Sequence, residues 1–271
     1  VDATPLVAAF DPATVTVSTV AMLCGFAFLA GFVDAVVGGG GLIQIPALFV
    51  MLPTLPAATI FGTNKFAAVW GTASATVQYS RKVSIAWRAV LPAGIAAAVF
   101  SFFGAEVVSR IGNTELKPLI LVMMIAVLVY TLWKKDFGAL HVPRLSDRQQ
   151  LWVGLAVGST LGFYDGFFGP GTGSFLIFAF VGLFGFSFLA ASASAKVVNT
   201  VTNLAALASF AFSSHILYAI AAPMAFSNVA GSLLGSTLAI RRGSGFVRAL
   251  FIVIVAALIA RFGWDIVRQH R

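Results

Sequence analysis

The chain is poor in charge. Only 10% of its 271 residues are Asp, Glu, Lys or Arg, whereas 59% are hydrophobic. A soluble domain carries about 25% charged residues, so a soluble fold of this size would lack the charge to cover its surface. The composition is that of an integral membrane protein. Cysteine is nearly absent: Cys24 stands alone, which excludes a disulfide framework and any CxxC metal site. The three histidines, His141, His215 and His270, lie far apart and form no HExxH motif. No metal or cofactor is expected, and no Asn-x-Ser/Thr sequon occurs. The first residues, Val1 to Pro5, lack the basic start of a signal peptide. The acids Asp2 and Asp11 suggest that this end is not cytoplasmic. The net charge of +8 is read as a bias of loops toward Lys and Arg on the cytoplasmic side, not as a nucleic-acid surface.

A helix needs about 20 apolar residues to cross a bilayer. Candidate spans are 15–37, 58–79, 89–109, 116–133, 151–168, 190–213, 217–239 and 247–267. Two shorter apolar stretches, 42–52 and 174–186, each follow a glycine-rich break, Gly38 to Gly41 and Gly169 to Gly173. These read as half-helices or short steep spans. The polar connection 134–150 carries Lys134, Lys135, Arg144 and Arg148 and divides the chain nearly in half. The expected organisation is an N-terminal extension 1–14, a first transmembrane repeat 15–133, the loop 134–150 and a second repeat 151–271.

The halves match when the chain is shifted by 131 residues. Gly31, Phe32 and Asp34 fall on Gly162, Phe163 and Asp165, and Gly38 and Gly40 on Gly169 and Gly171. Lys65 falls on Lys196, Pro92 on Pro223, Gly104 on Gly235, Arg110 on Arg241 and Trp133 on Trp264. Two homologous halves are a transporter signature. The loop 80–88 has Arg81, Lys82 and Arg88, whereas its mate 211–219 has neither Lys nor Arg. That contrast favours inverted repeats of about five segments each. The alternative is four plus four segments in parallel, with the short stretches re-entrant.

An ionisable side chain inside a membrane faces the protein interior or a wet cavity, and is functional by default. Asp34 and Lys65 recur as Asp165 and Lys196, so a pseudo-symmetric site would hold all four. The alternative is that they are structural ion pairs holding helices together. Glu106, matched by Thr237 near a helix end, is read as interfacial. Helices restarting after the breaks would present free N–H groups and a partial positive charge, which suits an anion. Gly40, Gly41, Gly171, Thr172, Gly173 and Ser174 are the candidates there, unless the glycines only allow a close helix crossing. No Gly-Lys-Ser/Thr follows either break, so a Walker loop is not supported. Asn64, Thr72 and Gln78 accompany Lys65, while Asn199 and Asn203 share a helix face with Lys196. The expected substrate-binding set is Lys65, Lys196, Asn64, Asn199 and Asn203 together with the break residues. Asp34 and Asp165 would pair with the lysines or carry protons. Ser174 and Cys24 have no evident His partner, which argues against an intramembrane enzyme.

The segments Gly31 to Pro46 (GFVDAVVGGGGLIQIP), Phe61 to Phe66 (FGTNKF), Gly162 to Phe175 (GFYDGFFGPGTGSF) and Ala195 to Asn199 (AKVVN) carry a family resemblance. From about residue 20 onward the chain resembles the TauE/SafE (sulfite exporter, TSUP) family, and most of all its YfcA-type branch. The resemblance implies an all-α polytopic secondary transporter of the bacterial inner membrane. It would move sulfite, sulfonates or related organosulfur anions, with export coupled to protons. The rivals are a passive anion channel and an importer of another small anion.

Overall fold

The computed structural model describes residues 16–111, 116, 122 and 144–242, and among them every regular element is a helix. They are α1 (Val17–Val37), α2 (Gly41–Met51), α3 (Ala57–Ser80), α4 (Trp87–Ser109), α5 (Asp147–Phe167), α6 (Thr172–Gly182), α7 (Phe188–Phe212) and α8 (Tyr218–Arg242). The expected span 247–267, the span 116–133 apart from residues 116 and 122, the N-terminal extension and most of the loop 134–150 lie outside the described residues. Helix starts at 41, 57 and 87 recur at 172, 188 and 218, the spacing at which the sequence matches itself.

Four helices, α1, α4, α7 and α8, are both long enough and apolar enough to cross a membrane. Helices α3 and α5 have the length but are more polar. In α3 this follows from Thr59, Thr63, Asn64, Lys65 and Thr72, all of which are buried inside the protein. Helices α2 and α6 have 11 residues each. At 1.5 Å per residue each reaches about 16 Å, roughly half the hydrocarbon core. Outward-facing Leu91, Ile95, Val99 and Phe103 give α4 an exposed apolar stripe suited to lipid.

The halves are interlaced. Helix α4 of the first half packs along α5 of the second, and α1 along α8. Small residues allow it. Gly154, Gly158, Gly162 and Gly166, one turn apart on α5, lie against the backbone of Ala89, Ala93, Ala97 and Ser101 on α4. Gly231 and Gly235 of α8 lie likewise against Phe28 and Phe32 of α1. Without water to expel, helices associate through such close backbone contact. Rising residue numbers on both partners show that each pair runs in one direction.

Other contacts fix the remaining directions. Helices α3 and α8 run together, because the Leu217 N–H donates to Thr63 Oγ1 (3.1 Å), Ser232 Oγ to the Gly71 carbonyl (2.6 Å) and Ser236 Oγ to Gln78 Oε1 (2.6 Å). Helices α3 and α7 run oppositely, since Thr72 meets Asn203 (3.4 Å) and Thr76 meets Thr200 (2.9 Å). Arg88 at the start of α4 pairs with Asp147 at the start of α5, so α5 begins where α3 ends. Arg81, Lys82, Arg88, Arg144, Arg148 and Arg241 gather at that end. At the opposite end stands Arg110, paired with Glu106 at 2.7 Å.

Candidate transport site

The two helix breaks meet. Helix α1 ends at Gly38, whose φ of 79° is left-handed and whose N–H donates to the Asp34 carbonyl (2.8 Å). Any side chain there would be strained by the backbone angle and would overlap Gly173. The Ser174 N–H donates to the Gly38 carbonyl (3.1 Å) and its hydroxyl to the Val37 carbonyl (2.6 Å). Thr172 Oγ1 donates to the Gly169 carbonyl (2.8 Å). Each break is also pinned by a tyrosine: Tyr79 donates to the Ala35 carbonyl (3.0 Å) and Tyr164 to the Pro170 carbonyl (2.6 Å). Backbone freed by the breaks thus has partners inside the protein, as membrane depth requires.

Around the crossed breaks stand the four ionisable residues. They pair between halves. Lys65 Nζ lies 2.6 Å from Asp165 Oδ2, with both side chains almost wholly buried. It also donates to Asn203 Oδ1 at 3.0 Å. Lys196 Nζ lies 3.0 Å from Asp34 Oδ2 and also contacts the Asp34 carbonyl. Asp34 keeps 16% side-chain exposure and accepts a weak hydrogen bond from Thr72 (3.4 Å). Every charge is therefore compensated, and each pair spans the interface between the halves. Buried charges persist only when paired and hydrogen-bonded in this way.

A cavity of about 30 Å³ lies between the pairs. By the usual measure it has room for about two water molecules. Asp34, Asn64, Lys65, Asp165, Asn199 and Asn203 line it. So do Gly40, Gly41, Gly171 and Gly173, at the starts of α2 and α6. The N-cap residues of α2 and α6 are Gly40 and Gly171, which offer no capping side chain. The cavity thus sees two helix N-termini without side-chain caps, each carrying about half a positive charge. Asn64 Oδ1 is buried here without a hydrogen-bond partner among the described residues. Of the residues expected at the site, Lys196, Thr172 and Ser174 stand behind the wall. Lys196 is spent on Asp34, Thr172 on Gly169, and Ser174 on Val37 and Gly38. Glu106 does not line the cavity and pairs with Arg110 at the end of α4.

Two polar wall residues escaped the sequence reading. Gln44 and Asn228 both line the cavity, and Asn228 Nδ2 donates to Gln44 Oε1 at 2.9 Å. Their counterparts in the other half are Phe175 and Ala97, so the repeat gave no sign of them. A signal did exist, because Asn228 is a lone amide in the middle of an apolar span.

The site can be set beside known proteins. Residues 23–262 match the model of the family described as sulfite exporter TauE/SafE. A probable membrane transporter protein of Haemophilus influenzae is 34% identical over 253 residues, covering 92% of this chain and 96% of its own. The probable membrane transporter protein ORF9 of a Sinorhizobium species is 33% identical, covering 87% and 88% of the two chains. The probable membrane transporter protein YfcA of Escherichia coli is 32% identical, covering 88% and 87%. No solved structure matches. An all-helical chain with apolar spans, two crossed breaks and this extent of similarity belongs to the sulfite exporter TauE/SafE family of membrane transporters.

Proposed function

We propose that the chain is a secondary active transporter of small organosulfur anions, such as sulfite or sulfonates, that works by alternating access in a bacterial inner membrane. The observation carrying this reading is the pair of Lys–Asp bridges that join the halves around a small polar cavity. The repeats are inverted on this reading: α1 begins at one end of the bundle, and its counterpart α5 begins at the other. The clustered Arg and Lys residues mark the cytoplasmic face. The N-terminus of α1 then lies on the far side, in keeping with Asp2 and Asp11.

The cavity has room for about two water molecules, so a hydrated or larger anion needs it to widen. Opening it for an anion means loosening a pair. A proton taken up by Asp165 would release Lys65 to face the anion, beside Asn203 and the two helix N-termini. One proton moving with one monovalent anion is electroneutral. The direction of flux then follows the combined gradients, and export follows when the anion accumulates inside. Asp34 and Lys196 play the same part for the other half. The oligomeric state does not enter this reading.

The test is uptake and counterflow in proteoliposomes with sulfite, sulfoacetate and taurine, with and without a pH gradient. Flux of at least one anion, accelerated by the gradient and showing counterflow, is expected. A passive channel gives no counterflow. Lys65→Ala or Lys196→Ala should abolish flux in folded protein, and full activity in both variants sinks the site assignment. Transport indifferent to the pH gradient removes Asp34 and Asp165 as proton carriers.

A further inference from the structure

The two halves differ along one seam. Helices α3 and α8 meet through a row of polar side chains that runs from the central cavity to the basic face. Asn228 lines the cavity, and Ser232 and Ser236 follow it at one-turn intervals on α8. Ser232 Oγ donates to the Gly71 carbonyl (2.6 Å), and Ser236 Oγ and Thr237 Oγ1 to Gln78 Oε1 (2.6 and 3.3 Å). Asn228, Ser232 and Ser236 are all buried. At its outer end the seam opens into a second cavity of about 360 Å³, lined by Gln78, Arg81, Lys82, Thr237, Ile240 and Arg241. Among the described residues none of these three cations has a carboxylate partner.

The corresponding seam of the other half, between α7 and α4, is different. Asn228, Ser236 and Gln78 correspond there to Ala97, Ala105 and Ser209. Ser101 alone matches, donating to the Thr202 carbonyl (2.9 Å) as Ser232 does to Gly71. At its outer end Arg81 and Lys82 are replaced by Phe212 and Ser213, and Arg110 is neutralised by Glu106. Capping of helix C-termini by cations does not explain this contrast, because α4 and α7 end there with a single, paired arginine. The polar lining and the free cations are a property of one route.

We propose that the α3–α8 seam is the path by which a small oxyanion passes between the basic face and the central cavity. Arg81, Lys82 and Arg241 form its outer binding site. The proposal rests on the reading of the chain as an anion transporter and adds where the anion enters. Arginine and lysine suit the oxygens of a sulfonate, a sulfite or a phosphate. Serine hydroxyls released from Gln78 and Gly71 when the helices part would hydrate or escort the ion. A phosphate of an anionic lipid headgroup has the same chemistry, and the experiment separates the two.

The test uses thiol reagents in a Cys24→Ala background, with the protein in phosphatidylcholine vesicles. Ser236→Cys should react from the basic face with the sulfonatoethyl methanethiosulfonate anion. It should do so roughly tenfold or more faster than Ala105→Cys reacts from the opposite face. Changing Arg81, Lys82 and Arg241 to Gln should erase the advantage of this reagent over its trimethylammonium analogue. Reaction with neutral methyl methanethiosulfonate should persist, showing that the seam still opens. Thr237→Cys, at the seam mouth, serves where Ser236→Cys does not fold. Thiols inert to all three reagents in folded protein, or an anion preference that survives loss of the three cations, would overturn the proposal. Loss of that preference when phosphatidylglycerol is added would assign the outer site to lipid, and so would also overturn it. Labelling needs no transported substrate. The expected labelling with no sulfite or sulfonate flux would therefore keep the route and refute only the substrate reading.

Discussion

The crossed pairing makes a sharp energetic prediction. Lys65 and Asp165 are 3% and 2% exposed, and their charged atoms are 2.6 Å apart. Lys65→Met leaves the Asp165 carboxylate in a wall with no other cation in contact, since Lys196 is held by Asp34. Breaking a buried pair from one side costs about 3–5 kcal/mol, whereas replacing both members with apolar residues of similar size is often near neutral. Lys65→Met alone should therefore lose about 3–5 kcal/mol. Adding Asp165→Leu should recover most of that, giving a coupling energy of at least about 2 kcal/mol. The control is the wrong partner. Lys65→Met with Asp34→Leu removes a charge from each of two pairs and should be worse than either single change. Thermal or denaturant unfolding in detergent, followed by tryptophan fluorescence, reads all of these. Recovery with Asp34→Leu and none with Asp165→Leu would refute the crossed assignment and place each lysine with the aspartate of its own half. The recovered double variant should still fail to transport, which separates binding from folding.

Two further changes test other parts of the structure. Gly158 lies against the Ala93 backbone, so Gly158→Leu must push α5 off α4 and should destabilise the protein by about 1–3 kcal/mol or more; unfolding measurements showing no loss would contradict the close α4–α5 packing. His215, in the loop between α7 and α8, has its pKa lowered by burial, which outweighs the opposing pull of Glu106. The folded state then binds fewer protons than the unfolded one just below about pH 6.5. His215 therefore costs nothing above that pH and lowers stability as pH falls through it, by at most about 1.4 kcal/mol per pH unit. Melts at pH 7.5 and 5.5 should show a smaller acid-induced drop for His215→Gln than for the unaltered chain. An equal drop would assign the acid sensitivity elsewhere.

The candidate site was legible where composition and repetition coincide. Asp34, Lys65, Asp165 and Lys196 stand out because charge is rare in these spans and because each recurs at one spacing. Their partners were not legible. A repeat says which residues are equivalent, not which are adjacent, and the interlaced helices join each lysine to the other half. The same limit hid Gln44 and Asn228, which have no polar counterpart. The stripe Gly154, Gly158, Gly162 and Gly166 was in plain view, but hydropathy does not distinguish a lipid-facing apolar residue from a small one at a helix contact. The breaks were located correctly, and helices α2 and α6 follow them. That the two breaks touch at Gly38 and Gly173 depends on tertiary packing that no local pattern encodes.

Interlacing also constrains how the molecule can move. Helices α1 and α8 are bound by glycine contacts, and so are α4 and α5, and each pair takes one helix from each half. Motion between the halves as whole blocks would tear both seams apart. The smaller step keeps those close pairs intact and shifts α1–α8 against α4–α5, with α3 and α7 at the boundary. Lys65 lies on α3 and Lys196 on α7, while Asp34 and Asp165 belong to the two close pairs. Where α3 moves with α8 and α7 with α4, such a shift changes both ion pairs at once. Where α3 instead stays with α5, the α3–α8 contacts give way, at the Ser232 and Ser236 hydrogen bonds and where Gly71 lies against Asn228, and a hydrogen bond nets only about 0.5–1.5 kcal/mol. The polar seam is then the contact that opens, and it leads to Arg81, Lys82 and Arg241.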